Sequence, residues 1–321
     1  MRRLLRLDQI LNVRLGSAAV VDQAVVGGAN FLTAVVVGRV AGAEQLGYYA
    51  LALTAWYLIL ALLESLCTSP FTVFVHRQTE ESQAEFAGSV LAHVASLAVL
   101  SVAAGSAVTL ALLLSGGESL AVVYAVLTAT LPFRLLRQFI RRFDYAYLQV
   151  RRALFVDAGV AITQLGGLLA IYLLSGLTAA AAIGVVGFAH ALASVTWLVA
   201  RRSMFRPTRR RLRADFAQNW KLGKWLAASQ LSGVAAAQAL PWLIAFQLDE
   251  AATGVYAACA LLVGLAAPLL VAVQNVLTPR LSAAYAEEGI PGLRRVVRKT
   301  KTLLGLGIGA VALTTIAGVE W

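Results

Sequence analysis

Long apolar runs separated by short polar segments dominate the chain. Each run is close to the roughly 20 residues that a helix needs to cross the hydrocarbon core of a bilayer. They lie at residues 17–40, 47–69, 86–113, 119–136, 153–174, 178–199, 223–246, 253–274 and 302–319. The runs are continuous and do not alternate between apolar and polar positions, which favours helices over barrel strands. We therefore predict an all-α, polytopic membrane helix bundle with about nine transmembrane helices.

The polar segments divide these runs into two groups. Residues 1–16 repeat leucine at helical spacing between arginines, as in an amphipathic helix lying in the membrane interface. Residues 17–199 then form a predicted N-terminal lobe of six transmembrane helices. A basic cytoplasmic linker is predicted at 200–222, and a partial C-terminal lobe of three helices at 223–321.

Positive charge predicts the orientation of the chain. With a cytoplasmic N-terminus, 26 of the 27 Lys and Arg residues fall in cytoplasmic segments, and Arg39 alone lies near the outer face. Short cytoplasmic loops collect positive charge in this way. The net charge of +11 therefore indicates membrane lipids as partners. Nucleic acid is not expected as a partner, because the sequence contains no basic domain lined with aromatic residues.

The sequence contains no motif of a known enzyme class. The outer segments are very short, and no nucleophile elbow, zinc-protease or phosphate-loop motif is present. Cys67 and Cys259 lie in apolar segments without metal-ligand spacing. We therefore predict a protein that is not an enzyme, with no catalytic residue, metal site or cofactor.

Two segments on either side of the linker are similar to each other. Residues 43–50 (AEQLGYYA) resemble residues 250–257 (EAATGVYA), at an offset of 207. Six predicted helices separate the copies, so both enter the membrane from the same side and form a parallel repeat. Repeats of this kind are typical of transporters that work by alternating access around a midplane site.

The opening of the chain resembles a known family on three segments: Asp22 to Val25, Asn30-Phe31, and Arg39 to Ala52 with its Arg-x-x-Gly turn. The family is that of the polysaccharide biosynthesis, or O-antigen type, flippases in the multidrug/oligosaccharidyl-lipid/polysaccharide exporter superfamily. The resemblance implies two six-helix lobes in a bacterial inner membrane. It also implies a polyprenyl-diphosphate-linked oligosaccharide as cargo, moved from the cytoplasmic to the outer leaflet by alternating access. Self-association or contact with other polysaccharide assembly proteins would follow.

The chain departs from that pattern at its end. It stops at Trp321, after the third predicted helix of the second lobe, so we expect either a fragment or a cavity completed by another chain. Two alternatives stay open. One is a multidrug or cation exporter of the same superfamily, which requires an acidic cavity; the other is a truncated membrane protein that does not transport.

Three ionisable residues at similar depth are candidates for ion coupling. Asp22, Glu64 and His93 lie five to seven residues from the cytoplasmic ends of the first three predicted spans. Ionisable residues in a span are costly unless they face a cavity or a partner, so each is a functional candidate. In the alternative interpretation, Asp22 pairs with the basic cytoplasmic residues and His93 hydrogen-bonds a backbone carbonyl.

Six polar residues in or near the spans are candidates for substrate binding. The only cation near the outer face, Arg39, suits a diphosphate, and Asn30 shares its cavity if the helix bends near Gly38. Neutral donors and acceptors for sugar hydroxyls are provided by Gln164, His190, Gln230 and Gln238. Outer headgroups or Glu44 could instead bind Arg39, and interhelical hydrogen bonds could account for the glutamines.

Overall fold

The computed structural model of the chain describes residues 2–174, 176–264, 288–292, 294 and 297–298. Within them the chain is helical, and residues 1–257 form one compact unit separate from 258–321. The helices are α1 (Arg2–Val36), α2 (Ala43–Leu63), α3 (Ser69–Phe74), α4 (Glu80–Leu114), α5 (Glu118–Ala146), α6 (Val150–Leu174), α7 (Ala179–Arg201), α8 (Arg209–Gln247) and α9 (Glu250–Gly264).

Six helical segments of the described chain are long and apolar enough to cross a membrane, which agrees with the six spans of the predicted N-terminal lobe. The α8 helix has 39 residues but is more polar than these six segments and is not among them. The α9 helix is described over 15 residues. The ninth predicted span, 302–319, lies outside the described residues, as does the rest of the eighth.

Three predicted segment boundaries differ from the helices. The α1 helix runs from Arg2 to Val36 without a break at residue 17. The α5 helix continues past residue 136 to Ala146, because no helix-breaking residue follows Pro132. Most of the predicted linker is also helical, since α8 begins at Arg209, directly after the extended residues around Pro207.

Two π-helical turns interrupt the regular helices. The first, Val37–Ala41, ends α1 and contains Arg39; the second, Glu64–Thr68, ends α2 and begins with Glu64. Directly after the first of these turns, the chain changes direction at Gly42. The φ of 92° at this residue is a backbone conformation that favours glycine. Turns of this π-helical type shift the angular position of every later side chain and recur at functional sites.

Apart from α3, which continues α2 in one segment, the described helices alternate in direction, so their ends form two groups. We call the end where α5 and α7 finish and α6 and α8 begin the arginine end. The opposite end, where α2, α5 and α7 begin, is called the glycine end. An aromatic core fills the arginine end, where the Phe71 ring lies 6.0 Å from Phe86 and 5.6 Å from both Phe139 and Phe143. All four of these rings are fully buried.

The glycine end is held by a backbone crossing between the two repeat copies. A Cβ atom at Gly47 would overlap the Glu250 carbonyl, and one at Gly254 would overlap the Ala43 carbonyl. These two contacts exchange under the offset of 207 residues, because Gly47 corresponds to Gly254 and Ala43 to Glu250. The repeat seen in the sequence is therefore also a reciprocal contact in the fold.

Candidate functional site

A row of arginines on α5 forms the centre of the polar site. Arg134, Arg137 and Arg141 are spaced by three and four residues and share one face of the helix. Arg134 and Arg137 are each only 4% exposed, since α5 packs against α4, α7, α2 and α6. Cations buried this deeply require compensating groups.

The first compensating group is Asp22 of α1, which is completely buried. Its Oδ2 atom accepts a hydrogen bond from Arg141 Nη2 at 2.6 Å and another from the Tyr145 hydroxyl at 2.6 Å. Both donors lie on α5, one turn apart. Asp22 therefore fastens α1 to α5 through a charge-assisted pair of hydrogen bonds.

The second is Asp157 of α6, which is 5% exposed. Arg141 Nε donates to Asp157 Oδ2 at 2.9 Å, and Arg137 pairs with the other carboxylate oxygen. Arg141 consequently bridges two carboxylates from two different helices. Together with Asp22, these residues form what we call the Arg141 network: Asp22, Arg137, Arg141, Tyr145 and Asp157.

Two further ion pairs at the arginine end lie beside the network. Glu64 accepts from Arg142 at 2.8 Å and from Gln138 at 3.3 Å. Asp144 accepts from Arg152 at 3.0 Å and from the Trp197 indole at 3.2 Å. Asp22, Glu64, Asp144 and Asp157 are thus each paired with arginine.

The three predicted ion-coupling residues lie at the arginine end but have separate partners. Asp22 contacts Arg141, Glu64 contacts Arg142, and His93 Nε2 contacts the Leu212 carbonyl at 3.0 Å. The pairing of Asp22 and the backbone contact of His93 match the alternative interpretation given above. No contact joins the three residues into one ion site within the described chain.

Gln164 lies at the α1–α6 interface. It is 2% exposed, and its Nε2 atom donates to Thr33 Oγ1 at 2.7 Å, with longer contacts to the Ala29 carbonyl and to Asn30 Oδ1. Asn30 itself is exposed. The side chain of Gln164 is used mainly in interhelical hydrogen bonding, whereas Asn30 keeps its amide accessible.

The other predicted binding residues are spread over several helices. Arg39 is exposed in its π-helical turn and has no side-chain partner among the described residues, and Glu44 accepts from Tyr48 at 3.1 Å. Gln230 accepts from Ser65 at 3.3 Å, while Gln238 is half-buried. Their distribution does not define a single pocket in the described chain.

His190 of α7 is half-buried, and its Nδ1 atom is buried without a partner among the described residues. It lies within electrostatic range of Arg134 and Arg137. Arg134 contacts the Ile183 carbonyl at 3.4 Å and stacks over the Trp56 ring at 5.7 Å. His190 therefore sits beside buried cations.

The Arg141 network contains four residues that the sequence analysis missed as site candidates: Arg137, Arg141, Tyr145 and Asp157. The three on α5 follow the predicted span 119–136 and precede the span 153–174, where their charge density is typical of a cytoplasmic loop. For Asp157 a signal existed, since it is an acid within the predicted span 153–174. Such acids require a partner, and a cation on a neighbouring helix is the usual one.

An apolar groove of about 710 Å³ lies between α6 and α7, lined in part by Gly166, Gly184 and Phe188. Its lining includes only one polar side chain, that of Thr163. Gly167 packs against Val185 and Gly187 against Thr130, so the glycines permit close approach of helices. Apart from Thr163 the groove is apolar, and it suits a hydrocarbon chain.

Comparison with solved structures identifies the fold. The chain is similar to the inward-facing conformation of a multidrug resistance MATE family transporter of the MOP superfamily, with a TM-score of 0.69 and 19% identity. That alignment covers 90% of this chain and 69% of the other. No protein-family profile and no curated protein matches the sequence.

Two other solved structures show the same similarity. A MOP superfamily transporter from Pyrococcus furiosus, described by the reverse polarity of its binding pocket, gives a TM-score of 0.67 at 18% identity, covering 93% of this chain and 70% of that one. An outward-facing MATE family transporter gives 0.60 at 19% identity, covering 96% and 71%. The fold of this chain is therefore similar to the fold of these transporters.

Proposed function

We propose that the chain is a membrane transporter that works by alternating access. The observation that carries this proposal is its fold: nine-tenths of the chain superposes on transporters solved in inward-facing and outward-facing conformations. The reciprocal crossing of Gly47 and Gly254 supports it, because a repeat-related contact can open and close symmetrically. A bacterial inner membrane with the N-terminus in the cytoplasm is the setting that the charge distribution favours.

The solved neighbours support the multidrug alternative better than the predicted flippase activity. Two of those reported above, one inward-facing and one outward-facing, are both described as multidrug resistance MATE family transporters. Neither description mentions a lipid-linked saccharide. The comparisons therefore favour a drug over a lipid-linked saccharide as the cargo.

The charges of the described chain favour an anionic cargo, which keeps the lipid-linked oligosaccharide as a second candidate. Asp22 and Asp157 are buried and paired with arginine, and Glu64 is paired with Arg142, so none of them is free to receive a cationic drug. In contrast, Arg39 is exposed without a partner in the described residues. A diphosphate would bind such a guanidinium in a bidentate manner.

The two cargo proposals can be separated in one pair of strains. The full chain would be expressed in a drug-exporter-deficient strain and in a strain that lacks its lipid-linked oligosaccharide flippase, beside Arg39→Ala and a control, Arg77→Ala. Arg77 is also an exposed arginine, but it lies after α3, near the arginine end. Membrane expression of each variant would be checked by immunoblot.

An anionic cargo predicts that the parent and the Arg77 variant restore surface polysaccharide while the Arg39 variant does not. A drug exporter predicts restored resistance to cationic dyes, with no polysaccharide rescue and no dependence on Arg39. Failure to restore either phenotype, despite stable expression of the parent, would contradict the proposal that the chain transports either cargo without an additional chain.

A further inference from the structure

A second polar cluster lies between α4 and α8, apart from the Arg141 network. Ser89 and His93 are one turn apart on α4, and Asp215 and Asn219 are one turn apart on α8. Ser89 is fully buried, Asn219 is 1% exposed and Asp215 is 3% exposed. We call these four residues the α4–α8 cluster.

Contacts on α4 show that this face meets α8. Glu85 accepts from Arg211 at 3.4 Å, and His93 contacts the Leu212 carbonyl at 3.0 Å. The His93 ring also lies 5.4 Å from the Phe216 ring. Ser89 is four residues from Glu85 and four from His93, so it lies on the same face between them.

The corresponding stripe on α8 is equally buried. Asp215 follows Arg211 by four residues, and Asn219 follows Asp215 by four. The next position, Gly223, packs against the backbone of Ser65 and Leu66. The stripe therefore remains covered by protein from α4 to the π-helical turn after α2, and Asp215 and Asn219 point into this covered region.

Five polar atoms of the cluster have no partner among the described residues. They are Ser89 Oγ, His93 Nδ1, Asp215 Oδ2, Asn219 Oδ1 and Asn219 Nδ2. Buried polar groups are almost always hydrogen-bonded, because leaving one unsatisfied loses its solvation without return. Five such atoms on the facing stripes of α4 and α8 make this cluster a candidate binding site.

The available atoms are mostly acceptors. Because His93 Nε2 contacts a carbonyl oxygen, that nitrogen carries the hydrogen and Nδ1 offers a lone pair. Asp215 Oδ2, Asn219 Oδ1 and Ser89 Oγ add three oxygens. The only obligatory donor without a partner is the Asn219 amide nitrogen.

Carboxylates outnumber cations among the groups in direct contact here. Asp215 and Glu85 are two carboxylates, and they share one guanidinium, Arg211, at 3.7 and 3.4 Å. Arg211 is further engaged by Gln78 at 2.7 Å and by the Ser82 carbonyl at 3.1 Å. With an uncharged imidazole, the groups in contact carry a net charge of −1.

We propose that the α4–α8 cluster binds a monovalent cation, with Na⁺ as the ion that fits its oxygens. Hard cations prefer carboxylate, amide and hydroxyl oxygens, and divalent ions would need more carboxylates than this cluster offers. Bound there, the cation balances the net charge and occupies the acceptors that face it. The site holds α4 to α8, and it does not depend on what the protein transports.

The test uses the detergent-purified full chain in NaCl, KCl or choline chloride at constant ionic strength. Thermal unfolding would be followed by tryptophan fluorescence, since Trp220 stacks on Phe216, which contacts His93. Binding of ²²Na⁺ would be measured by scintillation proximity. We expect Na⁺, and not choline, to raise the unfolding midpoint saturably.

Two variants locate the effect. Asn219→Leu removes one oxygen, and we expect its Na⁺ affinity to fall about tenfold or more, whereas Gln218→Leu is a matched amide-to-leucine change beside it and should bind as the parent does. Asp215→Asn keeps the side-chain shape, loses the charge, and should bind no ²²Na⁺. Asp215→Asn also tests the proposal if Asn219→Leu does not fold.

Three results would overturn the proposal. They are an unfolding midpoint of the parent that is the same in NaCl and choline chloride, ²²Na⁺ binding that persists in Asp215→Asn, and an Asn219→Leu variant that is more stable than the parent in every salt. The last would mean that the five polar atoms bind only water. None of these measurements involves transport. The result of a transport assay therefore neither supports nor contradicts the cation site.

Discussion

The two ends of the described bundle are held together by different physics. At the arginine end, helices are joined by buried charges, as in the bridge that Arg141 makes between Asp22 and Asp157. At the glycine end, the backbones of α2 and α9 approach closely at Gly47 and Gly254. Ion pairs are specific but costly to break singly, whereas a glycine crossing can separate without leaving a buried charge.

This difference indicates which end of the bundle separates at the lower cost in free energy. Opening the arginine end would expose or unpair three helices that share the Arg141 network. Opening the glycine end would separate two backbone surfaces that lose only packing contacts. Four predictions test this contrast, beginning with the largest expected effect.

The first prediction concerns Arg141. Arg141→Gln should destabilise the protein by about 3–5 kcal/mol, because it leaves the carboxylate of Asp22 buried without its cation. The matched control is the adjacent residue in Arg142→Gln, whose side chain is 48% exposed and pairs with a partly exposed Glu64. That change should cost about 0–1 kcal/mol. Thermal unfolding in detergent compares them, and equal losses would contradict a buried network.

The second prediction asks whether the charges depend on each other. The double variant Arg141→Gln with Asp22→Asn should recover part of the stability lost by the first change, since the buried charge of Asp22 is removed together with its cation. A double-mutant cycle on the unfolding midpoints measures the interaction. A purely additive result would show that the contact between α1 and α5 contributes nothing of its own.

The third prediction breaks the other end. Gly254→Ala should cost about 1–3 kcal/mol, because the new methyl group would overlap the Ala43 carbonyl and force α9 away from α2. Gly233→Ala is the control, since a Cβ there meets nothing within 4 Å and alanine favours the helix. A Gly254 variant as stable as the parent would rule out the tight crossing.

The smallest effect is expected at the α1–α6 interface. Gln164→Leu removes the 2.7 Å hydrogen bond to Thr33 and should cost about 0.6 kcal/mol, the average for a hydrogen bond between membrane helices. A cycle with Thr33→Val isolates the pair by unfolding midpoints. A coupling above about 2 kcal/mol would instead assign Gln164 a central place in the fold.

Much of the fold could be predicted because it depends on local composition. The apolar runs near residues 17–40 and 153–174 correspond to spans in the structure, and the similarity of residues 43–50 to 250–257 corresponds to the contact between Gly47 and Gly254. What failed was the boundary of α5. The arginines after residue 136 resemble a cytoplasmic loop in sequence, and only the acids on neighbouring helices make them tolerable inside the bundle.

The candidate site divides in the same way. That Asp22, Glu64 and His93 lie near the same end of the bundle follows from their distances along the spans. Their partners do not follow, because Arg141, Arg142 and the Leu212 carbonyl are between 78 and 119 positions away in the chain. His93 therefore belongs to the α4–α8 cluster with Asp215, a residue that the sequence assigned to a linker.

The sequence by itself determined the all-α fold class, the long apolar helices and the internal repeat, because hydropathy and helical length act within one segment. Only the tertiary structure decided which charges neutralise one another and which remain without partners. Those choices depend on packing between helices that are far apart in sequence. In the low-dielectric interior, a buried ion is stable or costly according to which neighbour lies within a few ångströms.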